Sequence, residues 1–220
     1  MSPGPRWLYL HGFASGPGSA KAKRLAEHYA GKSVTLERLD LRQPSMEHLR
    51  LSAMIAHVRE AIGSHADRAV LFGSSLGGLT AARVAEEDAR VCALVLLAPA
   101  FQMAQRWRAR LTDAQWQKWQ TTGYLETKDH ARGGTARVDF GFAEDAARVD
   151  ARGGGWPDVR VPTLVVHGTR DDVVPVEGSR TWAAGKRHVR LVEVDDDHEL
   201  VPSLDFIASE ADRHLAAFLP

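Results

Sequence analysis

Ala69-Val70-Leu71-Phe72-Gly73-Ser74-Ser75-Leu76-Gly77-Gly78 is the stretch that decides the architecture. Its apolar run, Ala69 to Phe72, predicts a buried strand, and the alanine-rich segment from Leu76 to about Glu87 predicts a helix. Between them lies a G-x-S-x-G pentapeptide with Ser75 at its centre, the pattern of a sharp strand-to-helix turn that pushes the central side chain outward. Gly73 and Gly77 lack the Cβ atoms that would crowd such a turn. Ser75 also falls at a helix N-terminus, where the dipole favours developing negative charge. An ordinary turn with serines as caps would read the same way. The rest of the chain must therefore supply what a nucleophilic serine needs: a base, an acid that orients the base, and donors for an oxyanion.

Upstream, Leu8-Tyr9-Leu10-His11-Gly12-Phe13 reads as a short strand ending in His-Gly, followed by a glycine-, serine- and proline-rich loop able to offer backbone donors. A plain strand terminus is the alternative. Downstream, the β-branched run before His167-Gly168 leads to a loop carrying Asp171 and Asp172. Loops at the carboxyl ends of parallel strands are where open α/β sheets build their sites. His167 reads as structural. A third strand, Val192 to Val194, leads to His198 before the last helix. The chain holds ten histidines, so it is the position of this one that makes it a candidate base. Asp195, Asp196, Asp197 and Glu199 around it would suit a metal ion, but consecutive carboxylates diverge and no spaced second histidine accompanies them. Neither a metal nor a cofactor is expected.

Strand and helix signals alternate from end to end, with strands near 6–10, 34–39, 69–73, 91–97, 162–167 and 189–194. That rhythm predicts an α/β fold: a compact, mostly parallel sheet of about six strands with helices on both faces. Ser19 can cap a helix ended by Gly31; Leu51, Met54, Ile55, Val58 and Ile62 share one helical face, as do Leu204, Ile207, Ala211, Leu215 and Phe218. The 220 residues suit one domain. One insert breaks the rhythm, from about 101 to 157, and is expected to form a small helical lid. Thr112-Asp113-Ala114-Gln115 has capping-box spacing, and Gly133-Gly134 and Gly153-Gly154-Gly155 read as flexible joints. Trp107, Trp116 and Trp119 within the insert are expected to roof an apolar substrate pocket; packing of the insert onto the core is the alternative.

The segments Leu8 to Phe13, Ser19-Ala20-Lys21-Ala22 and Gly73 to Gly78 resemble the α/β-hydrolases, and within them the small bacterial YqiA-like esterases. The broad resemblance spans nearly the whole chain; the narrower one stops at the tryptophan-bearing insert. The resemblance implies the order Ser75, Asp171, His198 for a catalytic triad, because H-G-x-x-D-x-x-V-P is similar to the acid turn of that superfamily and selects Asp171 over Asp172. It also implies an oxyanion hole from the amides of Phe13 and Leu76, and a serine hydrolase acting on carboxylic esters of short to medium acyl chains. An acyl-thioesterase or depalmitoylase would use the same residues. A non-catalytic binding protein on this scaffold would be suspected if a triad member were missing, and none is.

Composition sets the remaining bounds. A formal net charge of zero gives no electrostatic case for nucleic acid or an anionic membrane as partner. The Arg106-Trp107-Arg108-Ala109-Arg110 stretch reads as a solvated helix face. No apolar run is long enough to span a bilayer, and the lone cysteine, Cys92, forms no internal disulfide, so a cytoplasmic location is the expectation. Gly31-Lys32-Ser33 imitates a phosphate loop, but it closes a helix where such a loop must open one. The partner expected is a small-molecule ester; the sequence leaves the oligomeric state open.

Overall fold

The computed structural model describes residues 4–220. In chain order the elements are β1 (Arg6–Leu10), α1 (Ala20–Ala30), β2 (Leu36–Leu39), α2 (Leu51–Ile62), β3 (Ala69–Ser74), α3 (Leu76–Glu87), β4 (Val91–Leu97), α4 (Met103–Arg110), α5 (Asp113–Thr122), β5 (Tyr124–Lys128), β6 (Thr135–Asp139), α6 (Gly141–Asp150), β7 (Thr163–Gly168), α7 (Glu177–Ala183), β8 (Val189–Val194) and α8 (Leu204–His214). Six strands form one sheet in the order β2-β1-β3-β4-β7-β8, parallel throughout, while β5 and β6 pair as a separate antiparallel hairpin.

The central strands β3, β4 and β7 are buried along their whole length, which is why they read as continuous apolar runs. Alternate side chains go to opposite faces of the sheet. Leu8, Leu10, Leu71, Leu94, Leu96 and Val165 pack with α2, α3 and the insert. Tyr9, Val70, Phe72, Val95, Leu97, Leu164 and Val166 pack with α1 and α8. The chain runs from β1 outward to β2 and then crosses back to β3, so the strand order reverses between β1 and β3. A crevice opens at the carboxyl ends of two strands that diverge in this way, and that is where an α/β sheet builds its site. Gly12 follows one of these strands and Ser75 the other.

Ser19 caps α1 by accepting from the Ala22 amide, and Thr112 and Gln115 form both halves of the expected capping box on α5. The insert is more than a helical lid: besides α4, α5 and α6 it contains the β5–β6 hairpin. Tyr124 to Lys128 and Thr135 to Asp139 alternate exposed residues with ones that, Val138 apart, are only partly buried, too short and too polar an alternation to stand out in the sequence. Gly133 and Gly134, at φ +76° and +74°, lie in the hairpin's turn, so this pair is not a joint but a left-handed corner that glycine takes without strain. No helix among the described residues is long and apolar enough to cross a membrane.

Candidate active site

Ser75 sits between β3 and α3 at φ 54°, ψ −115°, a conformation costing a non-glycine residue on the order of 1–3 kcal/mol. It persists because the surroundings fix it. The Ser75 amide donates to Leu97 O (2.9 Å), and Ser75 O accepts from the amides of Gly78 (2.9 Å), Leu79 (3.1 Å) and Ala100 (3.0 Å). Two glycines make the turn sterically possible: a Cβ at Gly73 would fall on the Gly77 carbonyl, and one at Gly77 on the carbonyl of Leu10.

The acid turn follows β7. Asp171 Oδ1 accepts from the amides of Val173 (2.9 Å) and Val174 (2.7 Å), and Oδ2 accepts from His198 Nδ1 (2.7 Å), with His167 Nε2 at 3.2 Å. Burial alone would raise this carboxyl's pKa, but the histidine and amide donors outweigh it and hold the group well below the usual carboxylate range. The neighbouring Asp172 is exposed and makes no such bonds. His167 is fully buried, with Nδ1 on Ser179 Oγ (2.7 Å) and Nε2 on Val174 O (2.7 Å). It therefore ties the acid turn to α7 and adds a second imidazole to the Asp171 carboxylate.

His198 stands on the loop after β8. The bond to Asp171 occupies Nδ1, leaving Nε2 as the nitrogen available to a reacting group. Lys21 of α1, buried, holds this loop by donating to His198 O (3.2 Å), with Glu199 Oε2 at 3.7 Å; burial pushes the ammonium pKa down. The acidic cluster disperses: Asp195 pairs with Arg170, Asp196 accepts from Ser203, and Asp197 accepts from the Glu199 amide.

Ser75, His198, Phe13 and Leu76 line one cavity of about 1340 Å³. The Leu76 amide opens a helix and so has no intrahelical acceptor. Neither it nor the Phe13 amide donates to another group among the described residues, leaving two free N–H groups beside Ser75. His11 shapes this loop: its Nε2 accepts from the Leu41 amide (2.9 Å), so Nδ1 carries the hydrogen and donates to Gly12 O (2.8 Å). Burial lowers its pKa, in keeping with a neutral ring.

Of the three tryptophans, the structure brings only Trp107 to the cavity. Trp119 is buried under the insert with its indole N–H on Val138 O (3.0 Å), and Trp116 packs edge-on against Trp119 and Phe140. Neither lines the cavity, because their side of α5 faces the insert's own core. Arg42 carries no signal in the sequence, yet its guanidinium bonds both Ser15 O (3.1 Å) and the Asp129 carboxylate (2.8 Å), joining the loop after β1 to the hairpin turn. Arg106, expected on a solvated helix face, is instead half-buried on the cavity wall, where its Nη2 donates to Val173 O (2.5 Å).

A family model described as Uncharacterised protein family (UPF0227) matches residues 6–209. The chain belongs to UPF0227. Among curated proteins no sequence matches this UPF0227 chain. Its fold is shared with solved structures. Mouse alpha/beta hydrolase domain-containing protein 10 superposes with a TM-score of 0.79 at 18% identity, covering 99% of this chain and 92% of the mouse chain. Est1E from Butyrivibrio proteoclasticus, with ferulic acid bound, gives 0.80 at 20% identity over 99% and 90%. The esterase domain of a Rhodothermus marinus protein gives 0.69 at 19% identity over 100% and 90%. The UPF0227 chain thus has the α/β-hydrolase fold expected from the sequence.

Proposed function

We propose that the protein is a serine hydrolase that cleaves carboxylic esters of short to medium acyl chains. The observation that carries this reading is the convergence on one cavity of a serine held in a strained elbow and a histidine bonded through its far nitrogen to a buried carboxylate. His198 Nε2 takes the hydroxyl proton as Ser75 Oγ attacks the acyl carbon, while Asp171 holds the ring in the required tautomer and stabilises the imidazolium. The amides of Leu76 and Phe13 receive the negative charge of the tetrahedral intermediate, each worth about 2.7–4 kcal/mol in comparable sites. His198 returns the proton to the departing alcohol, leaving Ser75 acylated. Water, deprotonated by the same imidazole, then releases the acid. Phe13, Leu76, Met103, Trp107 and Leu125 give the cavity an apolar wall for the acyl chain, and the insert that supplies Trp107 acts as the lid.

The chemistry needs nothing beyond the chain and water, and the buried, unpaired Cys92 suits a reducing cytoplasm. A fluorophosphonate probe tests the reading. It should label the wild type and Ser74→Ala, and leave Ser75→Ala unlabelled and inactive on aryl esters. Labelling that persists in Ser75→Ala and disappears in Ser74→Ala would overturn the assignment.

A further inference from the structure

The cavity that holds Ser75 is lined by six lysines and arginines against three carboxylates. Fewer than half of these charges are matched. Lys21 lies beside Glu199, Arg42 is bound to Asp129, and Asp40 accepts from the Arg42 amide. Four cations remain without a carboxylate within 4.0 Å among the described residues: Lys23, Arg106, Arg110 and Arg132. Asp172 is the one lining carboxylate left over.

Helix α4 concentrates the imbalance. Arg108 points away from the cavity, pairs with Asp113 and sits over Trp116. Arg106 and Arg110, one turn apart on the same side, both line the cavity. Burial disfavours the charge on Arg106, and the neighbouring Arg110 adds to that, against the attraction of the Asp171 carboxylate. Arg106 is half-buried, with Val173 O as its one side-chain acceptor among the described residues. Placing two like charges a turn apart on an active-site wall, one of them partly desolvated, works against the helix unless an anion completes the arrangement.

We infer that Arg106 and Arg110 form a binding site for an anionic group, a carboxylate or a phosphate, carried by the ester substrate. The inference rests on the reading of this cavity as an ester-hydrolysing site. Arginine suits the task because its planar fork binds either group through two parallel hydrogen bonds. Val173 O already orients one edge of Arg106 and leaves the rest of the fork for the ligand. Lys23 and Arg132 add an attractive field across the opening.

The test compares a neutral aryl butyrate with the mono-aryl ester of glutaric acid, a carboxylate on the acyl side, and with the butyrate ester of hydroxyphenyl phosphate, a phosphate on the leaving side. At least one charged ester should exceed the neutral one in kcat/KM by about tenfold, an advantage that shrinks in high salt. Which of the two gains identifies the group. The charged-to-neutral ratio should collapse in the double variant Arg106→Gln/Arg110→Gln and stay at the wild-type level in Arg108→Gln. A wild type that favours neither charged ester, or a double variant that keeps the wild-type ratio, would overturn the inference. A second readout does not depend on turnover: calorimetric binding of the glutaric acid mono-anilide and of the butyranilide of aminophenyl phosphate to Ser75→Ala. If no ester is hydrolysed yet one of these amides binds and the double variant abolishes the binding, the esterase reading fails and the anion site stands. Cleavage of all esters with no dependence on the two arginines sinks the anion site alone.

Discussion

Asp171 accepts three hydrogen bonds, two from amides and one from His198, with His167 Nε2 3.2 Å away, and so differs in kind from Asp172 one position along. Replacing it with asparagine leaves His198 without an anion and exposes it to the wrong tautomer, a change that costs about 10⁴-fold in kcat in the serine-protease template. Asp171→Asn should therefore lose activity by orders of magnitude and Asp172→Asn by less than about tenfold, as read from kcat on an aryl ester. A stability effect accompanies it. Folding lowers the Asp171 pKa, so the unfolded state binds the proton more readily. The stabilisation is full above the unfolded value of about 3.9 and is lost as pH falls through the lower folded value. Urea titrations should show the gap between wild type and Asp171→Asn narrowing from pH 7 to pH 3. Of the pair, only the resemblance to the H-G-x-x-D turn pointed to the residue that bonds His198; the residues alone left both open. His167 shows what stays invisible at this scale. It reads as structural in the sequence, but its contact with the Asp171 carboxylate arises only once β7 and the acid turn fold back on each other.

At the scale of elements, strong periodicity was legible and tertiary pairing was not. The strands of the sheet were readable because their burial is dictated by runs such as Val91 to Leu97, and α1, α2 and α5 because Ser19, the Leu51 to Ile62 face and Thr112 carry local signals. The β5–β6 hairpin escaped because its strands hold polar residues at most positions and owe their stability to what they touch. Its anchor is the buried pair Arg42–Asp129, with both side chains 7% exposed, reinforced by the bond from the His130 amide to Ala14 O (2.9 Å). Removing one partner strands a buried charge. Asp129→Ala should cost about 3 kcal/mol, and the double change Arg42→Met/Asp129→Leu should restore much of it. For a domain of this size a loss of that order lowers Tm by roughly 6–12 °C, measurable by calorimetry. The partners are far apart in sequence, so no spacing rule could have paired them.

Across the whole molecule, the tryptophans divide between wall and core. Trp119→Ala empties a fully buried site and should destabilise by about 3–5 kcal/mol. Trp107→Ala removes part of the cavity wall, and on a panel of aryl esters it should move the preferred acyl length upward, each added methylene that fits being worth about 0.8 kcal/mol. An unchanged chain-length profile in Trp107→Ala would mean that the acyl chain lies elsewhere in the cavity. The sequence identified the insert as the source of the wall but not which aromatic serves it, because that depends on how α4 and α5 lie against Phe13 and Phe140. The elbow, for its part, links chemistry to the order of assembly. Ser75 donates its amide hydrogen to Leu97 O and accepts at its carbonyl from the Ala100 amide, both at the exit of β4, so beyond the local bonds from Gly78 and Leu79 its unusual backbone angles are not held until the β3–β4 ladder has zipped to its end. In a refolding time course, phosphonate reactivity at Ser75 should therefore stay dark through collapse and helix formation and switch on once β3 and β4 have paired to their carboxyl ends, making Ser75 a clock for closure at the centre of the sheet.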